Sequence, residues 1–145
     1  MINFTVGPVQ MDEETRMLGK NQIPYFRTSE FSKIMKENES LLCNFFDAPE
    51  NSRVVFFTGS GTASMEGGVM NFFNSNDKLL VVNGGSFGQR LVELCQIHDL
   101  PYTEIKLNYG QPLTETMLSE YEGAGYTGLL IQLCETSTGV LYDLN

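Results

Sequence analysis

Two nearly uninterrupted apolar runs constrain the fold of this chain more than any other feature. They are Lys78–Val82 (KLLVV) and Gly128–Leu133 (GLLIQL), and such runs are typical of strands that are covered on both faces. Two further strand-like runs are Arg53–Thr58 (RVVFFT) and Tyr102–Leu107 (YTEIKL). The chain is therefore expected to contain four strands, two of them buried between other layers.

Helical periodicity fills the intervals between these runs. The spacing of the apolar residues predicts helices over about 31–45, 65–73, 87–98 and 114–121. Thr28 and Ser29 are suited to cap the first helix, and Pro101 closes the segment of the third. Helices and strands that alternate in the order α-β-α-β-α-β-α-β predict the α/β class, with a layered sheet.

The acidic composition limits the classes of partner. The chain has 145 residues, with 18 acidic and 9 basic side chains and a formal net charge of −9. A surface of this sign repels a phosphate backbone, so nucleic acid is not expected as a partner. No apolar run approaches the roughly 20 residues that span a bilayer, and the first residues lack a signal-peptide pattern. We expect a cytoplasmic protein that does not associate with membranes.

The cysteines and the single histidine give no metal-site pattern. Cys43, Cys95 and Cys134 form no CxxC pair, so we interpret them as reduced thiols that pack as small hydrophobic groups. His98 has no second imidazole with which to form a metal site or a catalytic triad, and it is expected at a helix end or on the surface. No metal is predicted.

A glycine-rich stretch, TGSGTASMEG, lies between the first strand-like run and the second helix. A helix that begins near Thr62 would direct unpaired backbone N–H groups and a partial positive charge at a ligand above Gly61, with the hydroxyl of Ser60 beside it. A Walker loop is excluded because no lysine lies between Arg53 and Asp77, and a dinucleotide loop is disfavoured because Ser64 stands at the third glycine position. A phosphate site and a simple capped turn both remain open.

Two further polar loops follow strand-like runs. NGGSFGQR carries Phe87, whose ring could stack on a flat ligand or pack as a core residue. CETSTGVL carries Glu135 and Thr136 at the end of the fourth run. Ligands of open α/β sheets bind outside the carboxyl ends of strands, so the three loops are expected to meet at one edge of the sheet.

The three loops, in this order and spacing, resemble those of the class V aminotransferases, which are pyridoxal-phosphate (PLP) enzymes of fold type I. The similarity to alanine–glyoxylate, serine–pyruvate and 2-aminoethylphosphonate transaminases extends over essentially the whole chain. It implies that Ser60, Gly61 and Thr62 bind the cofactor phosphate, and that Phe87 stacks on the pyridine ring. It further implies that Thr136, with Glu135 beside it, binds the ring hydroxyl.

Weaker implications of the resemblance concern the segment before the first long helix. Gly7 and Pro8 would lie near the substrate, and Arg27 would approach the site of a neighbouring subunit in a homodimer. The substrates would be a small amino acid, or an aminophosphonate, and a 2-oxo acid.

The resemblance also implies that the catalytic lysine is not in this chain. The family's Schiff-base lysine, the aspartate at the pyridinium nitrogen and the arginine for the substrate carboxylate match no residue here. We therefore expect residues 1–30 to be an N-terminal segment and 31–145 to be an incomplete part of the three-layer α/β/α PLP-binding large domain. The chain alone is expected to be inactive.

Two alternatives remain open at this stage. One is a cysteine desulfurase or another PLP lyase of the same fold, which requires residues beyond this chain. The other is a non-catalytic α/β domain that binds a phosphate ligand or only caps a helix with the glycine-rich stretch.

Overall fold

A computed structural model describes residues 2–3, 7 and 9–144. Contacts divide the chain into two compact units, Met1–Thr58 and Gly59–Asn145. The division expected after residue 30 concerns the domain of a whole enzyme, and it stays a prediction.

The described residues of the first unit form two helices. Helix α1 spans Glu13–Leu18, and Asp12 caps it by accepting a hydrogen bond from the Thr15 N–H. Helix α2 spans Ser29–Phe45 and begins as predicted, with the Thr28 hydroxyl oxygen 3.2 Å from the Phe31 nitrogen. The sequence pattern missed α1 because a helix of 6 residues is too short to show an apolar stripe.

The prediction of a strand at Arg53–Thr58 is wrong. The segment is neither helix nor strand, and it pairs with no strand among the described residues. Its first residues are held instead by Glu39 of α2, which accepts hydrogen bonds from the Arg53 guanidinium at 2.7 Å and from the Val54 N–H at 3.1 Å. Val55 is 83% exposed. An apolar, β-prone run becomes a strand only where a neighbour supplies the backbone hydrogen bonds.

The second unit contains a parallel sheet of three strands. Strand β1 spans Leu79–Asn83, β2 spans Tyr102–Lys106 and β3 spans Gly128–Leu130, in the order β2-β1-β3. All five residues of β1 are buried, as its continuous apolar run predicts. The fourth predicted strand is shorter than expected, because the chain leaves the sheet after Leu130.

A small antiparallel pair follows β3 and was not predicted. Strand β4 spans Cys134–Glu135 and pairs with β5, which spans Val140–Leu141. The turn between them begins with hydrogen bonds from the Thr138 and Gly139 N–H groups to the Glu135 carbonyl, and Gly139 has a φ of +71° that favours glycine. Two-residue strands are too short to show an alternating pattern in the sequence.

Three helices cover the sheet on its two faces. Helices α3 (Gly61–Phe72) and α4 (Ser86–Ile97) pack on the face that carries Leu79 and Val81 of β1. Helix α5, Glu115–Ser119, lies against the other face with the core of Leu80 and Val82. The predicted layered α/β/α fold is therefore confirmed for this unit.

Helix α4 carries Cys95, and His98 lies at its C-terminal end. Cys95 is fully buried in the core, and this burial raises the pKa of its thiol. Its packing as a small hydrophobic group is confirmed. His98 is the C-terminal cap of α4, and its Nε2 lies 2.9 Å from Glu66 Oε1 of α3. The expected helix-end position of His98 is confirmed as well.

Candidate functional site

The glycine-rich stretch forms the N-terminus of α3. Ser60 is the cap, and its hydroxyl oxygen lies 3.2 Å from the Ala63 nitrogen, whose N–H it accepts. The Ser64 N–H donates to the Ser60 carbonyl. The amides of Gly61 and Thr62 precede the first intrahelical bond, so the helix offers them no acceptor. This end of the 12-residue helix keeps two amide donors and the positive end of its dipole for a ligand.

Space is available at this helix end. A Cβ added to Gly61 would meet no heavy atom within 4 Å among its described surroundings, and both Ser60 and Gly61 are exposed. Because the Ser60 oxygen accepts from Ala63, its own O–H proton stays available for donation. Two amides and a hydroxyl beside open space suit an anionic oxygen cluster such as a phosphate.

The N-terminus of α4 looks similar in sequence but differs in structure. Its cap, Gly85, makes no side-chain hydrogen bond. The last residue of β4 and the turn after it supply the acceptors instead. The Ser86 N–H donates to Ser137 Oγ at 2.9 Å, the Phe87 N–H to Glu135 Oε1 at 3.2 Å, and the Gly88 N–H to Glu135 Oε2 at 2.9 Å. The first three amides of α4 are thus all satisfied within the protein.

Glu135 is the buried acid of this region, with no exposed surface. Besides the two amides of α4, its carboxylate accepts the Ser137 hydroxyl at 2.6 Å and the Ser137 N–H at 3.2 Å. Burial alone would raise the pKa of Glu135, but the hydrogen bonds from Ser137, Gly88 and Phe87 outweigh it and lower the pKa below its ordinary value. The carboxylate is therefore ionised at neutral pH.

The glycines of NGGSFGQR make room for the protein's own groups. A Cβ on Gly85 would lie 2.6 Å from Glu135 Cδ, and one on Gly88 would lie 2.7 Å from Asn83 Cα and 2.9 Å from the Val82 carbonyl oxygen. A Cβ on Gly84 would collide with the Tyr142 hydroxyl. These glycines are explained by close packing at the end of β1.

The predicted site residues fall into two groups. Hydrogen bonds join Phe87 and Glu135, and Thr136 follows Glu135 with its side chain exposed. The hydrogen bonds and ring contacts of the described residues do not join Ser60, Gly61 or Thr62 to that group. Nevertheless, α3, which begins at Gly61 and Thr62, and α4, which carries Phe87, pack on the same face of the sheet.

The weaker assignments lie in the first unit. Gly7 is exposed, and the Arg27 guanidinium carbon lies 5.0 Å from the centre of the Phe26 ring. Pro8 lies outside the described residues.

All five lysines are exposed. Lys78 donates to the Ala124 carbonyl at 2.8 Å, with its ammonium 4.3 Å from the Tyr126 ring centre.

Sequence reasoning missed the polar groups that support α4. Asn83 is buried at the end of β1, and its amide nitrogen donates to Gln89 Oε1 at 2.9 Å and to Glu104 Oε1 at 2.7 Å. Ser137 is one of the polar residues at the end of the fourth strand-like run, and its bond to α4 was not predicted. A polar residue that ends an apolar strand was the available signal for Asn83, but Ser137 gives none, because its contacts depend on residues 51 positions away.

The described part of the chain has neither a candidate metal cluster nor a helix that could span a membrane. Residues 2–3, 7 and 9–144 include no cluster of three or more histidine, cysteine, aspartate or glutamate side chains placed to hold a metal ion. Their helices are all too short or too polar to cross a membrane.

Curated proteins match between 73% and 99% of this chain, although no family model matches it. A soluble hydrogenase 42 kDa subunit from Anabaena cylindrica is 36% identical over 143 residues, which cover 95% of this chain and 37% of that protein. An uncharacterized aminotransferase of Helicobacter pylori is 30% identical, over 99% of this chain and 38% of its own length. A 2-aminoethylphosphonate–pyruvate transaminase of Pseudomonas putida is 32% identical over 73% of this chain and 29% of its own. The chain spans less than two fifths of the length of these relatives.

Solved structures agree with these matches. The aspartate aminotransferase of subgroup IV from Thermus thermophilus superposes with a TM-score of 0.84 and 30% identity, over 97% of this chain and 39% of that one. The alanine–glyoxylate aminotransferase from Nostoc gives the same TM-score at 25% identity. By sequence, the chain is therefore similar to the N-terminal part of aminotransferases, and its fold matches that of PLP fold type I aminotransferase structures, in line with the resemblance of its three loops.

Proposed function

We propose that this chain is the amino-terminal part of a PLP-dependent aminotransferase. The whole enzyme would transfer an amino group from a small amino acid or an aminophosphonate to a 2-oxo acid. The observation that carries the proposal is the open N-terminus of α3, on a fold whose sequence and structural relatives include aminotransferases. Because the chain spans less than two fifths of those relatives, the activity of the whole protein is part of the proposal.

The residues of this chain would bind and orient the cofactor. The Gly61 and Thr62 amides and the Ser60 hydroxyl would hold the phosphate by charge-assisted hydrogen bonds. Phe87 would lie against the pyridine ring and fix its tilt, and the exposed Thr136 hydroxyl would bind the ring hydroxyl. PLP, when bound, supplies the electron sink that amino transfer requires.

Other roles in the proposal lie at the edge of this chain or beyond it. Gly7 and Pro8 would lie near the substrate, and Arg27 would approach the site of a second subunit in a cytoplasmic homodimer. The lysine that binds the cofactor, its aspartate partner and the arginine for the substrate carboxylate would be supplied by the rest of the enzyme. The lysines of this chain would have no catalytic role and would act as surface charges, with Lys78 held by the Ala124 carbonyl.

The proposal is tested on the protein that contains this chain. The purified protein is expected to absorb near the edge of the visible range, to lose that band on treatment with borohydride, and to release PLP on denaturation. It should convert a 2-oxo acid into the amino acid when a small amino acid or an aminophosphonate is supplied. Sulfide release from cysteine would favour the lyase alternative, and hydrogen uptake without bound PLP would favour the activity in the Anabaena relative's name.

A matched pair of variants locates the phosphate. Thr62→Ala removes a proposed ligand, whereas Thr116→Ala changes the same residue type on α5, on the opposite face of the sheet. We expect only Thr62→Ala to weaken PLP binding. Equal affinity in the two variants would contradict the assignment of the phosphate to α3.

A further inference from the structure

The carboxylate of Glu135 accepts more hydrogen bonds from the protein than a ligand of the cofactor beside Thr136 would need. Both of its carboxylate oxygens accept backbone N–H groups of α4, and Ser137 donates to it twice. Its side chain is fully buried. Gly85 packs so closely on Glu135 that no larger residue fits there. The carboxylate is thus fixed by the backbone around it, and it presents no surface to a ligand.

The bonds of Glu135 connect two chain segments that are 48 residues apart. One end of the connection is the N–H of Phe87 itself, and the other is the residue immediately before Thr136. The Ser137 hydroxyl adds a parallel link, because it donates to Glu135 and accepts from the Ser86 N–H. Glu135, with Ser137 beside it, therefore ties the start of α4, which carries Phe87, to the turn that carries Thr136.

The chemistry of the link requires an anion. Three amide donors and the positive end of the α4 dipole converge on one acceptor group, and such charge-assisted bonds are stronger than neutral ones. Glutamine would keep one acceptor oxygen but turn its NH₂ toward a backbone N–H, so at least one bond would be lost. The charge of Glu135 also acts on Tyr142. Burial raises the pKa of the Tyr142 phenol, and the negative charge of Glu135 raises it further.

We propose that Glu135 is a positioning residue: it does not touch the cofactor, but it closes the N-terminus of α4 to anions and holds Phe87 at a fixed separation from Thr136. The cofactor part of this inference rests on the proposed function. It assigns the two similar loops different tasks, with α3 left open for the phosphate and α4 capped from within the protein.

The first test needs no cofactor. In the apo form of the protein that contains this chain, amide hydrogen exchange is measured at Phe87 and Gly88. Glu135→Gln is expected to speed exchange at these amides about tenfold or more. Glu93→Gln is the matched control, because Glu93 lies on the same helix and pairs at the surface with Arg90 at 2.6 Å. It should leave both amides unchanged, and equal exchange in wild type and Glu135→Gln overturns the proposal.

A milder variant keeps the test valid if Glu135→Gln does not fold. Ser137→Ala retains the carboxylate but removes the acceptor of the Ser86 N–H and one donor to Glu135. It should speed exchange at Ser86, with a smaller increase at Phe87. Unchanged exchange at both amides would overturn the proposal.

The second test addresses positioning. Visible circular dichroism of bound PLP reports the tilt of the ring, so Glu135→Gln should change this band while Glu93→Gln does not. Exchange that rises while the band and the PLP affinity match the control would overturn the positioning role. If the wild-type protein binds no PLP, the proposed function fails, and the exchange measurements still decide whether Glu135 closes the helix.

Discussion

Replacing Gly88 with alanine should destabilise the protein, although alanine is the better helix former. The new Cβ would lie 2.7 Å from Asn83 Cα and 2.9 Å from the Val82 carbonyl oxygen. Both atoms belong to the backbone of β1. No rotamer change can therefore relieve the contact, and α4 must move away. Overpacking of a core costs about 1 to 3 kcal/mol, and the contacts here place the cost in the upper part of that range.

The gain in helix propensity reduces this cost without cancelling it. Alanine is favoured over glycine in a helix by about 0.5 to 1 kcal/mol, which leaves a net loss of about 1 to 2 kcal/mol for Gly88→Ala. Gly67 is the matched control, because it lies within α3 and a Cβ there meets no atom within 4 Å. Gly67→Ala should therefore stabilise the protein by about 0.5 to 1 kcal/mol.

Urea denaturation followed by circular dichroism measures both variants in the protein that contains this chain. The two free energies of unfolding should lie about 2 kcal/mol apart, with wild type between them. Gly88→Ala should also weaken PLP binding, since a shift of α4 carries Phe87 with it. A free energy of unfolding for Gly88→Ala at or above that of wild type would refute the close packing of α4 on β1.

Three further predictions follow from the same geometry. Because its pKa is lowered in the fold, Glu135 should stabilise the protein fully above the ordinary glutamate pKa of about 4.3 and lose this effect as the pH falls through its pKa in the folded state. Urea titrations of wild type and Glu135→Gln measure this effect, and a difference between their free energies of unfolding that stays constant at acid pH would contradict it. Thr62→Ala should weaken PLP binding about tenfold and change the free energy of unfolding by less than about 0.5 kcal/mol. A thiol reagent should modify half-buried Cys43 before Cys95, whose pKa is raised by burial; equal rates would contradict that.

Periodicity carried the prediction of the fold where an element is long or fully buried. The stripe of α2 and the apolar run of β1 appear in the structure close to their predicted places. Arg53–Thr58 shows the limit of such patterns, because composition reports a preference for strand but not the presence of a partner. The β4–β5 pair was missed because its two-residue strands have no period to detect.

The candidate site was predictable in part for a similar reason. Glycine, serine and threonine at a helix start mark Ser60–Thr62, and the structure leaves that helix end open. The same composition at NGGSFGQR has another cause, since Gly85 and Gly88 accommodate Glu135 and the end of β1. That difference arises from contacts across about 50 residues of sequence, and local patterns do not contain it.

The position of the cofactor phosphate tests the central claim most directly. A crystal structure of the whole protein with PLP should place the phosphate oxygens within hydrogen-bonding distance of the Gly61 and Thr62 amide nitrogens. Glu135 should still accept the Phe87 and Gly88 N–H groups in that structure. A phosphate bound at the N-terminus of α4, with the Glu135 carboxylate displaced, would contradict the account.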